Sequence, residues 1–341
     1  MTTRRRGRGD ESGIALLIVI LTITLLMIVV LEFTDFAQVE THLALSARNA
    51  LQATYLARSG INVAEALVSV DGMISPGHDS AQDFWARPYP PLPIGDGTAV
   101  FRVRDEARFL NLNDMMSGGA LRPERVDVFR RLFTVLGVDP RILMAIVDWI
   151  DADSNAIVQP PGAEQPYYLG VRPPTIVRNG PLLTLRELLL VRGVTPTVLA
   201  RLEGFVTVLP PNALKVNINT APAEVLYALS EGMLADPGVV DRLIATRDTA
   251  PFTAPSEALH NVTGLEQALG SGKEFLDTNS PYFRLEGVGE VDEVRRGIIE
   301  VVKRDGKSVK RVTWTPSSAN LALTSLPPSD FLATLPVFGD R

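Results

Sequence analysis

An unbroken apolar run near the N-terminus constrains this chain more than any other feature. Residues 14–31 are apolar apart from Thr22 and Thr24. As an α-helix, these 18 residues would be roughly 27 Å long, close to the thickness of the hydrocarbon core of a bilayer. The sequence therefore predicts one transmembrane helix.

The charges on either side of this run predict its orientation. Four arginines precede it (Arg4, Arg5, Arg6 and Arg8), and acidic residues follow it (Glu32, Asp35 and Glu40). By the positive-inside rule, the N-terminus stays in the cytoplasm and the bulk of the chain is exported. A cleaved secretory signal is the alternative, but it would end in a small-x-small site, and none follows Leu31 directly.

The helical pattern continues beyond the apolar run. Apolar residues recur at three- and four-residue steps as far as Val68, and no proline occurs between Ile14 and Ser75. We therefore expect one helix over residues 14–70, with a transmembrane half at 14–31 and an amphipathic stalk at 32–70. On composition alone, a receptor or scaffold on a plain single-pass anchor fits this pattern equally well.

Composition excludes some chemistry in the rest of the chain. The absence of cysteine excludes disulfides and cysteine-based metal or redox sites. The net charge of −6 makes the chain a poor electrostatic partner for nucleic acid. The three histidines, His42, His78 and His260, lie beside no nucleophile or zinc pattern, so no enzyme activity is expected.

The sequence after the long helix predicts an α+β domain, called the soluble body below. Residues 72–97 are rich in Pro, Gly and Asp and predict a loop, and alternation at 98–104 predicts a strand. Three more strands are expected near the C-terminus, at 282–287, 294–304 and 308–314. We therefore expect an antiparallel sheet with a helical insertion, divided into a loop with first strands (71–115), an inserted helical domain (116–280), the remaining strands (281–315) and a tail (316–341).

The insertion shows helical periodicity, with a proline near the first turn of the helix that opens at 122. The other predicted helices span 141–150, 182–191, 195–206, 221–229 and 237–247. Two stretches, 185–194 and 216–226, are similar to helix-hairpin-helix units, which makes a DNA-binding competence-type protein an alternative. Only the first hairpin glycine, Gly193, is present, and residues 181–270 hold six basic against nine acidic residues, which disfavours phosphate binding.

A concentration of oxygen ligands follows the predicted helix at 141–150. It consists of Asp148, Asp151, Asp153, Asn155 and Glu164. Such hard ligands suit calcium. The spacing is not that of an EF-hand, because Ala156 and Gly162 stand where that loop needs glycine and glutamate. The alternative is a solvated acidic helix end with Asp153 or Asn155 as a cap.

The junction before the apolar run carries a family resemblance. Charged residues lie almost directly against a glycine, and the apolar run starts at the next residue: Glu11-Ser12-Gly13-Ile14. This junction resembles the cleavage site of type IV prepilins and pseudopilins. The resemblance implies a leader over residues 1–13, cleavage by the prepilin peptidase between Gly13 and Ile14, and N-methylation of Ile14.

One position narrows the resemblance. The fifth mature residue, usually glutamate in that family, is Ile18 here. A lone carboxylate in the bilayer costs about 2.5–3.5 kcal/mol, so a subunit with no preceding subunit is better served by an apolar residue. This absence is typical of the K-type minor pseudopilin of type II secretion.

The order of several motifs is also similar to the K type. After the leader junction come Phe109-Leu110-Asn111-Leu112-Asn113, Asp148-Trp149-Ile150-Asp151, the 187–193 stretch and Val216-Asn217-Ile218-Asn219. The resemblance implies a pilin-like sheet with a large helical insertion, a calcium-binding insertion, and a place in the bacterial inner membrane with the body in the periplasm.

The resemblance also implies partners and a role. The protein would cap the pseudopilus tip and help to initiate its assembly for export across the outer membrane. Its partners would be the minor pseudopilins of the I, J and H types, with secreted proteins as candidate substrates and no nucleic acid. The exposed positions expected to pack against the other helices are Phe33, Phe36, Leu43, Leu51 and Tyr55.

Overall fold

A computed structural model describes residues 10–75, 77–157, 161–211 and 215–317. Most of the predicted leader (1–9) and most of the predicted tail (318–341) lie outside the described residues. Within them, the chain forms one long helix, a five-stranded sheet and a helical insertion.

The elements follow one another along the chain with the insertion between the second and ninth strands. The α-helices are α1 (Asp10–Ile74), α2 (Pro123–Val135), α3 (Ile142–Ile150), α4 (Gln165–Leu169), α5 (Pro196–Leu202), α6 (Ala223–Ala228), α7 (Glu231–Ala235), α8 (Pro237–Thr249), α9 (Pro255–Asn261) and α10 (Leu265–Leu269). The strands are β1 (Leu92–Ile94), β2 (Gly97–Asp105), β3 (Leu110–Asn111), β4 (Met116–Ser117), β5 (Ala120–Leu121), β6 (Val206–Thr207), β7 (Val216–Asn217), β8 (Leu276–Asp277), β9 (Tyr282–Val291), β10 (Val294–Asp305) and β11 (Ser308–Ser317). Short 3₁₀ helices span Phe84–Ala86, Leu112–Met115, Leu185–Leu190 and Gly270–Phe275.

The first helix is longer than the sequence analysis predicts. It runs for 65 residues, from Asp10 rather than residue 14 to Ile74 rather than residue 70. Pro76 follows Ser75 in the sequence, and a residue before proline is disfavoured in the helical conformation, so the helix stops there.

The central sheet is antiparallel throughout, in the order β1-β2-β9-β10-β11. The predicted α+β class is therefore confirmed. The strands expected at 98–104, 282–287, 294–304 and 308–314 are all present, each extended by one or more residues.

The second half of α1 packs across one face of this sheet. Its buried side chains recur at helical spacing and meet alternate residues of the strands. They are Ala57, Ile61, Ala64 and Val68 on α1, against Phe101, Val103, Leu285, Ile298 and Val302 on the sheet, with Ala53 beside Ala99 and Val291. At this face β9 carries Gly287 and Gly289, where a Cβ atom would collide with the backbone carbonyls of Ala57 and Ala53. These glycines let the helix lie directly on the strand.

The insertion has its own hydrophobic core, which includes Phe129, Phe133, Trp149, Leu226 and Leu243. The short helices α4, α7, α9 and α10 were not predicted, and two of the predicted helices differ from the observed structure. Residues 182–191 form a 3₁₀ helix over Leu185–Leu190, and the helix predicted over 195–206 ends at Leu202. Val206 and Thr207 instead pair with Leu110 and Asn111 as a short parallel ladder, so tertiary pairing overrides local propensity.

Buried polar groups join the insertion to the sheet. The Asp105 carboxylate, at the end of β2, accepts hydrogen bonds from Thr220 Oγ1 (2.5 Å) and Asn217 Nδ2 (3.1 Å) of the insertion. Asn217 Nδ2 also donates to Ser280 Oγ (2.8 Å), just before β9. Burial raises the pKa of Asp105 to about 6. Asp105 and Ser280 flank the insertion, whereas Asn217 and Thr220 lie near its middle, so this network ties the middle of the insertion to the points where it leaves and re-enters the sheet.

Candidate functional site

Three carboxylates converge where α3 ends. Asp148 lies in the last turn of α3, Asp151 caps its C-terminus, and Glu164 immediately precedes α4. One oxygen from each lies within 4.8 Å of the others. Two oxygens bound to the same Ca²⁺ at about 2.4 Å can be at most about 4.8 Å apart, so these three residues, the carboxylate trio, have the spacing of calcium ligands.

The carboxylate trio is buried, which contradicts the solvated helix end considered above. Relative exposures are 0% for Asp148, 9% for Asp151 and 3% for Glu164. Asp151 Oδ1 and both carboxylate oxygens of Glu164 are buried without a hydrogen-bond partner. No basic side chain in the described part of the chain forms an ion pair with the trio. Buried carboxylates without a counter-charge are costly, so the site is suited to a cation.

A glycine leaves space at this cluster. A Cβ atom on Gly162 would collide with the carboxylate of Asp148. Asp148 also accepts a hydrogen bond from the backbone N–H of Ile157 (3.1 Å to Oδ2), and the Gly162 N–H donates to the Ile157 carbonyl (2.8 Å). Ile157 and Gly162 of the connection between α3 and α4 therefore lie beside the Asp148 carboxylate, and the donor set of hard oxygens fits calcium.

The same crowding shifts the titration of the trio. Burial, with repulsion from Asp153, Glu164 and Asp148, raises the pKa of Asp151 to about 7. Burial and neighbouring carboxylates also raise the pKa values of Asp148 and Glu164. Without a cation, a proton is therefore the remaining way to lower the charge of the cluster.

The other two predicted ligands lie at the edge of the site. Asp153 and Asn155 are exposed, and Asp153 Oδ1 accepts a hydrogen bond from the Asn155 N–H (2.7 Å). Asp153 is not part of the carboxylate trio, although its charge contributes to the raised pKa of Asp151. Their place in the sequence made them candidates, but the Asp153 side chain takes part in a local turn with the Asn155 backbone.

A second carboxylate cluster was not singled out in the sequence. Asp71 at the end of α1, Asp79 and Asp83 bring three oxygens within 4.8 Å of one another. Here a cation is supplied by the chain, because Arg304 of β10 pairs with Asp71 (3.2 Å) and Asp79 (2.5 Å). Burial, with repulsion from Asp83 and Asp79, still raises the pKa of Asp71 to about 7. Arg304 is too distant in sequence for local pattern reasoning to find this pairing.

The predicted assembly face of α1 is uncovered. Its exposed side chains are Phe33 (70%), Phe36 (62%), Leu43 (65%), Leu51 (59%) and Tyr55 (67%). The same helix holds the apolar run, and it is long and apolar enough to cross a membrane. The run's threonines bond back into the helix, Thr22 to the Ile18 carbonyl and Thr24 to that of Ile20, which satisfies their hydroxyls.

The junction residues Gly13 and Ile14 lie in the first turns of this helix. Both are exposed, and a Cβ atom on Gly13 would have no neighbour within 4 Å. Ile18 is exposed as well (58%), as is expected of a residue that faces lipid or a neighbouring helix.

Comparisons with known proteins agree over most of the chain. Two family profiles, both described as "Type II secretion system (T2SS), protein K", match residues 108–211 and 216–285. A type II secretion system protein K from Aeromonas hydrophila is 32% identical over 321 residues, covering 89% of this chain and 95% of that protein. The protein K from Pseudomonas aeruginosa is 28% identical over 314 residues, covering 88% of this chain and 91% of that protein.

A solved structure has the same fold. It is a chain in the crystal structure of a GspK-GspI-GspJ complex from the type 2 secretion system of enterotoxigenic Escherichia coli. The match has a TM-score of 0.68 at 21% identity and covers 81% of this chain and 99% of that chain.

Proposed function

Because this chain belongs to the type II secretion system protein K family, we propose that it is a minor pseudopilin that caps the pseudopilus tip and helps to initiate its assembly for export across the outer membrane. The role is structural rather than catalytic. The observation that carries the proposal is α1, a single continuous helix that is apolar at one end and fixed to the sheet at the other.

The exposed face of α1 supports assembly through helix packing. The side chains from Phe33 to Tyr55 described above are aromatic or aliphatic and face no other part of the described chain. Exposed apolar surface of this kind marks an interaction site. We expect it to pack against the helices of the I-, J- and H-type minor pseudopilins. The related solved complex joins GspK to GspI and GspJ, which is consistent with the first two of these partners.

Two features favour the tip over the shaft. Ile18 stands at the position where a shaft subunit would place a carboxylate beside the amine of its predecessor. The helical insertion, between β2 and β9, adds bulk beside the sheet that a regular stack would have to accommodate. Both features are tolerable for a subunit that assembles first and has no subunit above it.

The flanking charges support a single-pass location in the inner membrane. The arginines before the run favour a cytoplasmic N-terminus, which leaves the sheet and insertion in the periplasm. With this orientation, the prepilin peptidase would cut between Gly13 and Ile14 on the cytoplasmic side of the membrane and methylate Ile14.

Calcium is the proposed ligand of the carboxylate trio. The ion would be held by Asp148, Asp151 and Glu164, with Asp153 nearby as a further source of negative charge. It would offset the charge that the protein's own basic residues leave uncompensated there, and would thereby hold the loop between α3 and α4 against the insertion.

The tip assignment is tested by copy number and location. We expect a label on the insertion, placed at exposed Asn155, to appear once per assembled pseudopilus and at one end. Label distributed along the shaft would refute tip placement. Ile18→Glu should not increase assembly, because a tip subunit has no preceding amine to pair with the new carboxylate; a gain in assembly would also refute it.

A further inference from the structure

The exposed apolar side chains of the insertion are concentrated in one short segment. Among the described residues of the insertion, eight large apolar side chains are exposed, and six of them lie between 167 and 190. Those six are Tyr167 (41%), Leu169 (59%), Ile176 (81%), Leu183 (62%), Leu189 (43%) and Leu190 (50%). Single exposed apolar residues are ordinary, but a concentration of this kind marks a binding surface.

This segment is held in a fixed conformation by its own hydrogen bonds. Gln165 bridges the chain, donating to the Thr175 carbonyl (3.1 Å) and accepting from the Val177 N–H (3.0 Å). The hydroxyl of buried Tyr168 accepts from the Arg192 N–H (3.1 Å), which joins the two ends of the segment. The apolar side chains are therefore presented by an ordered backbone, which lowers the entropic cost of binding a partner.

The same segment is basic, although the chain as a whole carries a net charge of −6. Residues 165–192 contain Arg172, Arg178, Arg186 and Arg192 against one acidic residue, Glu187. Glu187 is engaged by Trp149 Nε1 (3.1 Å) and the Leu183 N–H (3.0 Å). Arg172 and Arg186 are exposed and form no ion pair within the described chain.

We propose that the exposed surface of residues 165–192, with its six apolar side chains and four arginines, binds a polypeptide segment that carries both acidic and apolar side chains. The apolar residues supply the contact area, and Arg172 and Arg186 select for negative charge. This inference goes beyond the proposed role in pseudopilus assembly and does not rest on tip placement.

A polypeptide fits the surface better than a membrane does. The segment is mostly irregular chain with the five-residue α4 and a short 3₁₀ helix, rather than an amphipathic helix with a continuous apolar face. Irregular chain is not accommodated in the hydrocarbon interior of a bilayer, so exposed irregular positions such as Thr184 and Gly170 favour a peptide partner.

The test uses the full chain in detergent micelles and two fluorescent peptides of equal length. One peptide is rich in Asp, Glu, Leu and Phe, and the other has Lys in place of every acidic residue. We expect fluorescence anisotropy to show binding of the acidic peptide, weakened at least about tenfold by Leu183→Ser with Leu189→Ser, and separately by Arg172→Ala with Arg186→Ala. Leu121→Ser with Leu234→Ser, exposed positions elsewhere on the insertion, is the matched control and should leave binding unchanged.

Several results would overturn the proposal. Equal binding of both peptides would show that the surface does not select for negative charge. Unchanged binding in both surface variants would show that the peptide binds elsewhere. Displacement of the acidic peptide by phosphatidylglycerol in mixed micelles, lost in the Arg172→Ala, Arg186→Ala variant, would reassign the surface to anionic lipid. Because all the substituted side chains are exposed, a change in melting temperature is not expected, and an unchanged value excludes misfolding as the cause.

Discussion

Gly289 of β9 lies so close to Ala53 of α1 that a Cβ atom on the glycine would collide with the alanine carbonyl oxygen. The neighbouring Gly287 has the same relationship to Ala57, with a Cβ-to-oxygen separation of 2.5 Å. The obstacle at both positions is backbone, which cannot rotate away as a side chain could. This contact between α1 and β9 at Gly287 and Gly289, the glycine seat of α1, therefore leaves no room for an added side-chain atom.

The first prediction follows from this contact. Gly289→Ala should lower the free energy of unfolding by about 1–3 kcal/mol or more, because the helix must shift to admit the methyl group. Thermal denaturation of the full chain in detergent measures the effect. Gly204→Ala, where a Cβ atom has no neighbour within 4 Å, is the control and should change little. An equal effect of the two substitutions would show that the close approach is unimportant for stability.

The second prediction concerns the buried pairing of Arg304 with Asp71 and Asp79. Arg304→Leu removes the cation and leaves two buried carboxylates uncompensated, so we expect a loss of about 3–5 kcal/mol in stability. Chemical denaturation provides the measurement. Arg295 pairs with Glu290 at 3.2 Å on the exposed surface, and Arg295→Leu should cost at most about 1 kcal/mol. An equal loss of free energy of unfolding in both variants would show that the buried pairing of Arg304 stabilises the fold no more than the exposed pair does.

The third prediction concerns calcium at the carboxylate trio. Calcium at about 100 times its dissociation constant should add about 2.7 kcal/mol of stability, because it binds only the folded chain. The melting temperature with calcium and with chelator measures this gain. Glu164→Gln and Gly162→Ala should each remove most of it, the first by deleting a ligand and the second by filling the space beside Asp148. Asp127→Asn, on the exposed surface of α2, is the control, and identical melting curves with calcium and chelator would rule out the site.

The fourth prediction is the pH dependence of the same site. In the calcium-free protein the pKa of Asp151 is about 7, whereas an ordinary aspartate in the unfolded chain has a pKa of about 4. The folded state therefore holds the extra proton between these values, and the contribution of this group to stability falls as pH rises through them. Calcium must displace that proton, so its affinity should fall by up to about tenfold for each pH unit below about 7.

Calorimetric calcium titrations at two pH values on either side of that pKa provide the measurement. Asp151→Asn should weaken binding and flatten its pH dependence, since the titrating group is gone. Asp153→Asn should retain most of the dependence, because Asp153 lies outside the carboxylate trio. Equal calcium affinity at both pH values in the unsubstituted protein would contradict the assignment of the raised pKa to a ligand.

The fifth prediction concerns processing at the junction before the apolar run. In cells with prepilin peptidase, the mature N-terminus should be methylated Ile14, and Gly13→Leu should leave the precursor in the membrane. N-terminal sequencing and mass spectrometry of the membrane-extracted protein measure this. Gly9→Leu, in the same leader, is the control and should still be processed. Recovery of Met1 or Thr2 as the N-terminus would show that the junction is not a cleavage site.

The parts of the fold that sequence predicted are those set by local periodicity. The helix through Val68 and the alternating strands at 98–104 and 294–304 depend on residues that repeat at 3.6 or 2.0 positions, and these are present in the structure. The chain also places Asp148 and Asp151 three residues apart on one helix end, so their proximity could be expected. The family comparisons then confirm the identification that ordered motifs had suggested.

What sequence could not predict depends on contacts between distant residues. Glu164 was a candidate ligand from its place in the sequence, but its convergence with Asp148 and Asp151, and the position of Asp153 outside the trio, depend on how the chain packs before α4. Arg304 pairs with Asp71, although the two residues lie at opposite ends of the sequence of the soluble body. The short parallel ladder at Val206 requires a partner strand nearly a hundred residues earlier in the chain. The helices α9 and α10 are short and weakly periodic, so local patterning gave no signal for them.

The glycine seat of α1 also has a mechanical consequence. With backbone lying against backbone at Gly287 and Gly289, the helix has no compliant layer of side chains through which to slide or tilt on the sheet there. We therefore expect a displacement of the membrane half along the helix axis to be transmitted directly to the sheet and the insertion. A larger residue at either glycine should move α1 away from β9 and let the helix shift more easily on the sheet. A displacement of the membrane half would then be transmitted to the sheet less completely.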